Sequence, residues 1–316
     1  MGKKNTEQKN ISPDLSVEIA GVKFKNPVIA ASGTFGYGTE YKDLIDVSRL
    51  GGICTKGLTL NPRPGNTGIR IWETSSGLLN SIGLENPGIE KFLEQELPRM
   101  KTLGTVIIAN LSGSTIEEYT DGAALLDKSA VDMVELNISC PNVKAGGMAF
   151  GLDPCLASAV TESVRRALSS KPLIVKLSPN APDLTAVAQA CINAGADALS
   201  LVNTFKAMVI DIKTGKPVFD NISAGLSGPA IKPIALRMVW ELLEALYKAN
   251  RSVPVIGLGG IANTEDALEF LMAGAAAIQV GSATFAHPPA MNEIISGIRT
   301  FMKEKKIHSL PELCIR

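Results

Sequence analysis

The chain lacks several patterns that would have settled its class at once. It has no C-x-x-C pair, no G-x-G-x-x-G and only two histidines, His287 and His308. Its five cysteines (Cys54, Cys140, Cys155, Cys191, Cys314) are scattered and odd in number. They form neither a disulfide framework nor an Fe–S or structural zinc spacing, and read as reduced thiols of a cytoplasmic protein. So few histidines argue against a histidine-based metal site, and none is expected. The missing glycine fingerprint argues against an open dinucleotide-binding sheet. Charge of one sign is also missing: Lys+Arg and Asp+Glu both count 31. A nucleic-acid partner, which usually demands a basic excess, is therefore not expected. The opening "MGKKNTEQKNISPD" has no apolar core, so neither a signal peptide nor a membrane span is expected there. It matches the short acylation pattern M-G-x-x-x-[ST], but a polar terminus of this kind is expected to be a disordered tail over residues 1–14.

What is present is a repeated unit. After a hairpin signal around Ala20-Gly21 in "LSVEIAGVKFKNP", a short apolar run, a polar or glycine-rich loop and a helical stretch recur. The runs are "PVIAASG", "GGICTKGLT", "TVIIANLSG", "MVELNISC", "PLIVKLSP", "ALSLVNT", "VPVIGLGGI" and "AIQVGSA". Amphipathic segments such as "PIALRMVWELLEALYKAN" and "TEDALEFLMAGA" lie between the later ones. Continuous apolar strands alternating with helices mean parallel strands buried on both faces. Eight units predict a closed (β/α)8 TIM barrel in a single domain, residues 15–316, with the hairpin plugging its bottom. Two connections, 60–88 and 205–232, are too long for plain turns and leave the C-terminal face, where barrel active sites lie.

Several strand ends carry groups that a core would not choose. Lys56, Asn110, Asn137 and Asn203-Thr204 close strands, and Lys176 interrupts "IVKL". A lysine can snorkel and an asparagine can cap a turn. Together on one rim, however, they point to a pocket for a planar, hydrogen-bonding ligand, because unpaired buried polar groups are costly. The last two strands end in "GLGGIAN" and "QVGSATF", the usual phosphate position of a barrel. Gly259, Gly260, Gly281 and Ser282 are thus phosphate candidates. Phosphate grip, lysines and amides suit a flavin mononucleotide, which needs positive charge near its N1–O2 locus on reduction.

These residues sit in a series of blocks: "ASGTFGYG", "TKGLTLNPRPGN", "LLNSIGLENPG", "ANLSGST", "ELNISCPN", "GGMAFG", "VKLSPN", "LVNT", "AGLSGPAIKPIALRMV", "VIGLGGI" and "IQVGSATF". In them the chain resembles the dihydroorotate dehydrogenase family, in its class 1B catalytic-subunit branch, over essentially residues 15–316. The resemblance implies an FMN barrel that oxidises dihydroorotate to orotate in pyrimidine synthesis. It further implies FMN contacts at Ser32, Lys56, Gly57, Asn110, Asn137, Lys176, Val202, Gly228, Gly259, Gly260, Gly281 and Ser282. Substrate contacts are implied at Lys56, Asn80, Ser81, Ile82, Gly83, Leu84, Asn137, Asn142, Asn203 and Thr204, and Cys140 matches the catalytic base. The branch passes electrons to NAD through a second subunit carrying FAD and a [2Fe–2S] cluster. A homodimer of this chain, within a heterotetramer of two chains of each kind, is the implied assembly.

A thiol of reference pKa about 8.5 needs little tuning to act as a base near neutral pH. The glycines of "PNVKAGGMAFG" would let that segment close over the substrate. Cys155 and Cys191, in helical patterns beside alanines, are expected to be packing residues, Cys54 lies within a strand, and Cys314 sits in an exposed-looking tail. The rival readings are a fumarate-dependent single-subunit enzyme, the barrel of a dihydropyrimidine dehydrogenase, a flavin barrel acting on tRNA, and an aldolase or isomerase using a lysine Schiff base.

Overall fold

The computed structural model describes residues 12–139 and 150–315. Its strands begin with β1 (Val17–Ile19) and β2 (Val22–Phe24), followed by β3 (Val28–Ala30) and β4 (Gly52–Cys54). An inserted pair, β5 (Ile71–Thr74) and β6 (Gly77–Asn80), precedes β7 (Val106–Leu111) and β8 (Met133–Asn137). Then come β9 (Leu173–Lys176) and β10 (Ala198–Leu201). A second insertion adds β11 (Phe205–Met208), β12 (Ile210–Asp211), β13 (Lys216–Pro217) and β14 (Ser223–Ser227). The series ends with β15 (Val255–Leu258) and β16 (Ala277–Val280).

Eight of these close into one parallel barrel, running β3-β4-β7-β8-β9-β10-β15-β16 and back to β3. They are the eight runs read from the sequence. Each is short and apolar because it is covered by helices outside and by its neighbours' side chains inside. The helices start where side chains can accept the first free N–H groups. Thr115, Asp153, Asp183 and Asn263 cap Ile116–Asp127, Pro154–Ala167, Leu184–Asn193 and Thr264–Met272. Helix Pro154–Ala167 buries Ala157, Val160, Thr161 and Val164, a stripe at helical spacing.

The hairpin β1–β2 turns at Ala20 (φ 49°) and Gly21 (φ 82°), the two positive φ values that a tight two-residue turn requires. Its Ile19 and Phe24 pack with one residue from every barrel strand: Ile29, Cys54, Ile108, Met133, Ile174, Ala198, Ile256 and Ala277. The plug expected from the sequence is therefore present, and each large side chain so buried contributes about 1.5–3 kcal/mol. The two long connections fold together. Their strands form one antiparallel sheet in the order β11-β14-β6-β5, with Gly225 opposite Asn80 and Leu226 opposite Leu79. Among the described residues no helix is long and apolar enough to cross a membrane.

Candidate active site

Side chains two residues apart on a strand share a face. Two residues beyond the apolar layer, six of the same eight strands place Lys56, Asn110, Glu135, Lys176, Ser200 and Gln279. The interior thus turns polar within one step of the strand repeat. Above this layer opens a cleft of ≈ 320 Å³, walled by barrel strand ends and by Ile71, Leu78 and Ser227 of the insertion sheet.

Glu135 is the centre of the polar layer and is fully buried. Its Oε1 accepts from Asn110 Nδ2 at 2.7 Å and Cys54 Sγ at 3.2 Å. Its Oε2 accepts from Gln279 Nε2 at 2.7 Å and Ser200 Oγ at 2.9 Å. Lys176 Nζ stands 3.7 Å away, its side chain only 5% exposed. Burial pushes the Glu135 carboxyl up. The Lys176 ammonium and the hydrogen bonds from Gln279, Cys54 and Ser200 outweigh it and hold the group below the usual carboxylate range. The same surroundings, burial first and then the Glu135 charge, push the Cys54 thiol well up.

From this carboxylate a directed chain of amides leads outward. Asn137 Nδ2 donates to Asn110 Oδ1 at 3.4 Å, and Asn203 Nδ2 donates to Asn137 Oδ1 at 3.3 Å and to Ser139 Oγ at 2.7 Å. Asn203 Oδ1 in turn accepts from the Thr204 N–H at 2.8 Å. The Tyr119 hydroxyl braces the floor by donating to the Asn137 carbonyl at 2.9 Å. On the opposite wall, the Arg70 hydrogen bond, with the Lys56 charge nearby, keeps the Glu85 carboxyl below its ordinary value.

The other end of the cleft is made of backbone. Gly259 (φ 128°), Gly260 (φ 76°) and Gly228 (φ 98°) adopt conformations that favour glycine. A Cβ on Gly260 would lie 2.7 Å from the Lys232 nitrogen and 2.9 Å from the Gly228 carbonyl, so no side chain fits in this turn. The N–H groups of Gly260 and Ser282 have no acceptor among the described residues. Buried Gln279 Oε1 likewise has no partner among them. Open N–H groups at one end, two ammonium groups and an unpaired carbonyl at the other fit a ligand with a phosphate and a polar ring.

Nearly all the residues singled out in the sequence line this one cleft: Ser32, Lys56, Gly57, Asn80, Ile82, Gly83, Leu84, Asn137, Lys176, Val202, Asn203, Thr204, Gly228, Gly259, Gly260, Gly281 and Ser282. Two lie behind it. Asn110 is buried in the polar layer, and Ser81, 2% exposed, accepts from Asn66 and Asn221. Cys140 and Asn142 fall outside the described residues, though Ser139, immediately before Cys140, is part of the amide floor. Sequence reasoning missed Glu135, Ser200 and Gln279. Glu135 and Gln279 carried the signal that exposed Lys176, a polar residue inside an apolar strand. The cysteine expectations divide. Cys191 is buried, which pushes its thiol up to about 11. Cys155 is exposed rather than packed, because it falls off the buried stripe of its helix. Cys54 belongs to the apolar layer and donates its thiol to Glu135 in the polar layer, and Cys314 is half-buried.

Comparison with known proteins bears on the same architecture. A curated protein of Petrotoga mobilis named dihydroorotate dehydrogenase B (NAD(+)), catalytic subunit, is 56% identical over 300 residues, 95% of this chain and 98% of that protein. Proteins of the same name from Geotalea daltonii and Caldicellulosiruptor bescii are each 53% identical, covering 95% of this chain and 97% and 98% of theirs. Residues 14–302, which run from the foot of the barrel through its last strand, match the sequence model described as dihydroorotate dehydrogenase. With that span and that identity, the chain belongs to the dihydroorotate dehydrogenase family.

Proposed function

We propose that this chain is the FMN-bearing catalytic subunit that oxidises (S)-dihydroorotate to orotate in pyrimidine biosynthesis, with NAD as the final electron acceptor. The observation that carries the reading is the single cleft joining a glycine phosphate turn, the paired Lys176 and the amide chain Asn110–Asn137–Asn203. FMN, when bound, supplies the acceptor for the hydride that leaves C6 of the substrate. The turns at Gly259–Gly260 and Gly281–Ser282 would hold its phosphate, and Lys176 with Gln279 would meet the polar edge of its ring. Ser32, Gly57, Val202 and Gly228 complete that wall.

Asn80, Asn137, Asn203 and Thr204 offer donors and acceptors for a pyrimidinedione and its carboxylate, joined by Asn142 and the Ser81–Leu84 segment. Lys56, on the wall of the same cleft, would supply a second positive charge. Cys140, one residue beyond the amide floor, takes the proton from C5 as thiolate and becomes thiol. The bond electrons from that carbon form the ring double bond as the hydride departs.

The relatives' name "catalytic subunit" supports a partner, and the sequence carries no dinucleotide fingerprint or cysteine cluster of its own. We place FAD and a [2Fe–2S] cluster in that partner, in a cytoplasmic assembly of two chains of each kind. Ile71, Met208, Ile210 and Ile222 are exposed on the two insertions, and a second copy of this chain would cover them. The test is to assay the isolated chain with dihydroorotate and an artificial acceptor, NAD or fumarate. Turnover is expected with the artificial acceptor and little with NAD until the electron-transfer subunit is added. Rapid NAD reduction by the chain alone removes the partner, and efficient fumarate turnover assigns the chain to the single-subunit class.

A further inference from the structure

The proposed chemistry leaves one charged group unused. Glu135 lies below the cleft, touches neither proposed ligand and is fully buried, yet five side chains from five other barrel strands converge on it. A carboxylate can only accept. Asn110 and Gln279 must therefore turn their NH2 groups toward it, which fixes the orientation of both amides. For Asn110 the freed carbonyl receives Asn137, so the polarity set by Glu135 passes along the chain to Asn203. For Gln279 the freed carbonyl is the buried oxygen without a partner, on a residue that lines the cleft.

We propose that Glu135 is a positioning residue for the redox site: its carboxylate fixes how Lys176 and Gln279 meet the bound cofactor and, through Asn110, how the amide chain is oriented, and it sets that cofactor's reduction potential. A flavin ring gains negative charge on reduction, and Glu135 is a fixed anion held beneath the lysine that balances it. Removing the anion while keeping its shape favours the reduced form. It also allows Gln279 to flip, presenting NH2 where a carbonyl faced the ligand.

The inference depends on the flavin reading, and the experiment separates the two failures. Wild-type protein purified without a flavin absorption band defeats that reading. A yellow wild type whose Glu135→Gln holoenzyme is indistinguishable from it defeats only the present inference. The measurements are FMN retention on ultrafiltration and the two-electron midpoint potential. Glu135→Gln is expected to hold FMN about tenfold more weakly, the scale of one oriented hydrogen bond lost in a buried site. Its potential should lie above that of the wild type. Glu135→Asp, which keeps the charge, should return the potential toward the wild-type value. A group that merely filled the core would lower the melting temperature in Glu135→Gln and leave the potential alone, and a potential equal to or below the wild type's overturns the proposal. Should Glu135→Gln not fold, Gln279→Met decides, since it leaves Glu135 its other partners. FMN held about fivefold more weakly supports an outward-facing carbonyl, and unchanged retention overturns it.

Discussion

The two ends of the barrel interior are built from the same eight strands and have opposite characters. At the N-terminal end every strand contributes an apolar side chain or Cys54, and Ile19 and Phe24 of the hairpin close the layer. One strand repeat further on, six of the eight side chains are Lys56, Asn110, Glu135, Lys176, Ser200 and Gln279, beside the apolar Ala31 and Leu258. Apart from Cys54, whose thiol donates to Glu135 above it, the lower layer is held by apolar packing. The upper one keeps an ion pair 3.7 Å apart and an unpaired amide oxygen out of water. Buried ion pairs of this kind contribute little net stability. The difference separates a layer that makes the barrel stable from a layer that makes it a site.

The contrast is broken most strongly from below. Phe24→Ala empties the plug and should cost about 3–5 kcal/mol in denaturant unfolding. The rate of flavin reduction per folded molecule should stay at the wild-type value, since Phe24 lies a full layer from the cleft. A slowed rate would mean that the packing of the lower layer, and not only the Cys54–Glu135 hydrogen bond, reaches the cleft. From above, Cys140→Ala should retain FMN and slow anaerobic flavin reduction by roughly 10²-fold or more, the usual worth of a positioned base. Stopped-flow measurement with dihydroorotate checks this, and wild-type rates would remove Cys140 from the mechanism. Cys140→Ser should recover activity mainly at high pH, because a hydroxyl is a much weaker acid.

The smallest effect lies outside both layers. Burial pushes the Asp127 carboxyl up, but hydrogen bonds from Ser169 and Ser170 outweigh it and bring the group to about 2 from 3.8. A folded value below the unfolded one contributes stability above the unfolded pKa and loses it as pH falls through the folded one. Wild type should therefore lose its advantage over Asp127→Asn between pH 3.8 and about 2. At neutral pH that advantage is at most about 1 kcal/mol, because the group is exposed and screened. A pH series of urea unfolding curves reads it directly.

Much of this contrast was legible in the sequence. Near-continuous apolar runs with helices between them announced a parallel barrel, and Ala20-Gly21 announced the hairpin. Lys176 stood out because a lysine inside "IVKL" has no place in a two-sided core. Less legible was anything set by pairing over long separations. That β6 and β14, 145 residues apart at Asn80 and Gly225, would join the two insertions into one sheet cannot be read from either segment alone. Glu135 is not legible in "MVELN", because only the closed barrel brings side chains of five other strands onto its carboxylate. Sequence position also does not distinguish a residue on the cleft wall from one buried behind it, as Asn110 and Ser81 are.

The central claim is that the polar upper layer holds a flavin poised to oxidise dihydroorotate. Its most direct test is the visible spectrum of the purified chain, followed anaerobically as dihydroorotate is added. The account predicts a yellow protein whose flavin band bleaches with one equivalent of substrate while orotate appears in equal amount. A colourless protein, or a flavin band that dihydroorotate leaves unchanged, would contradict it.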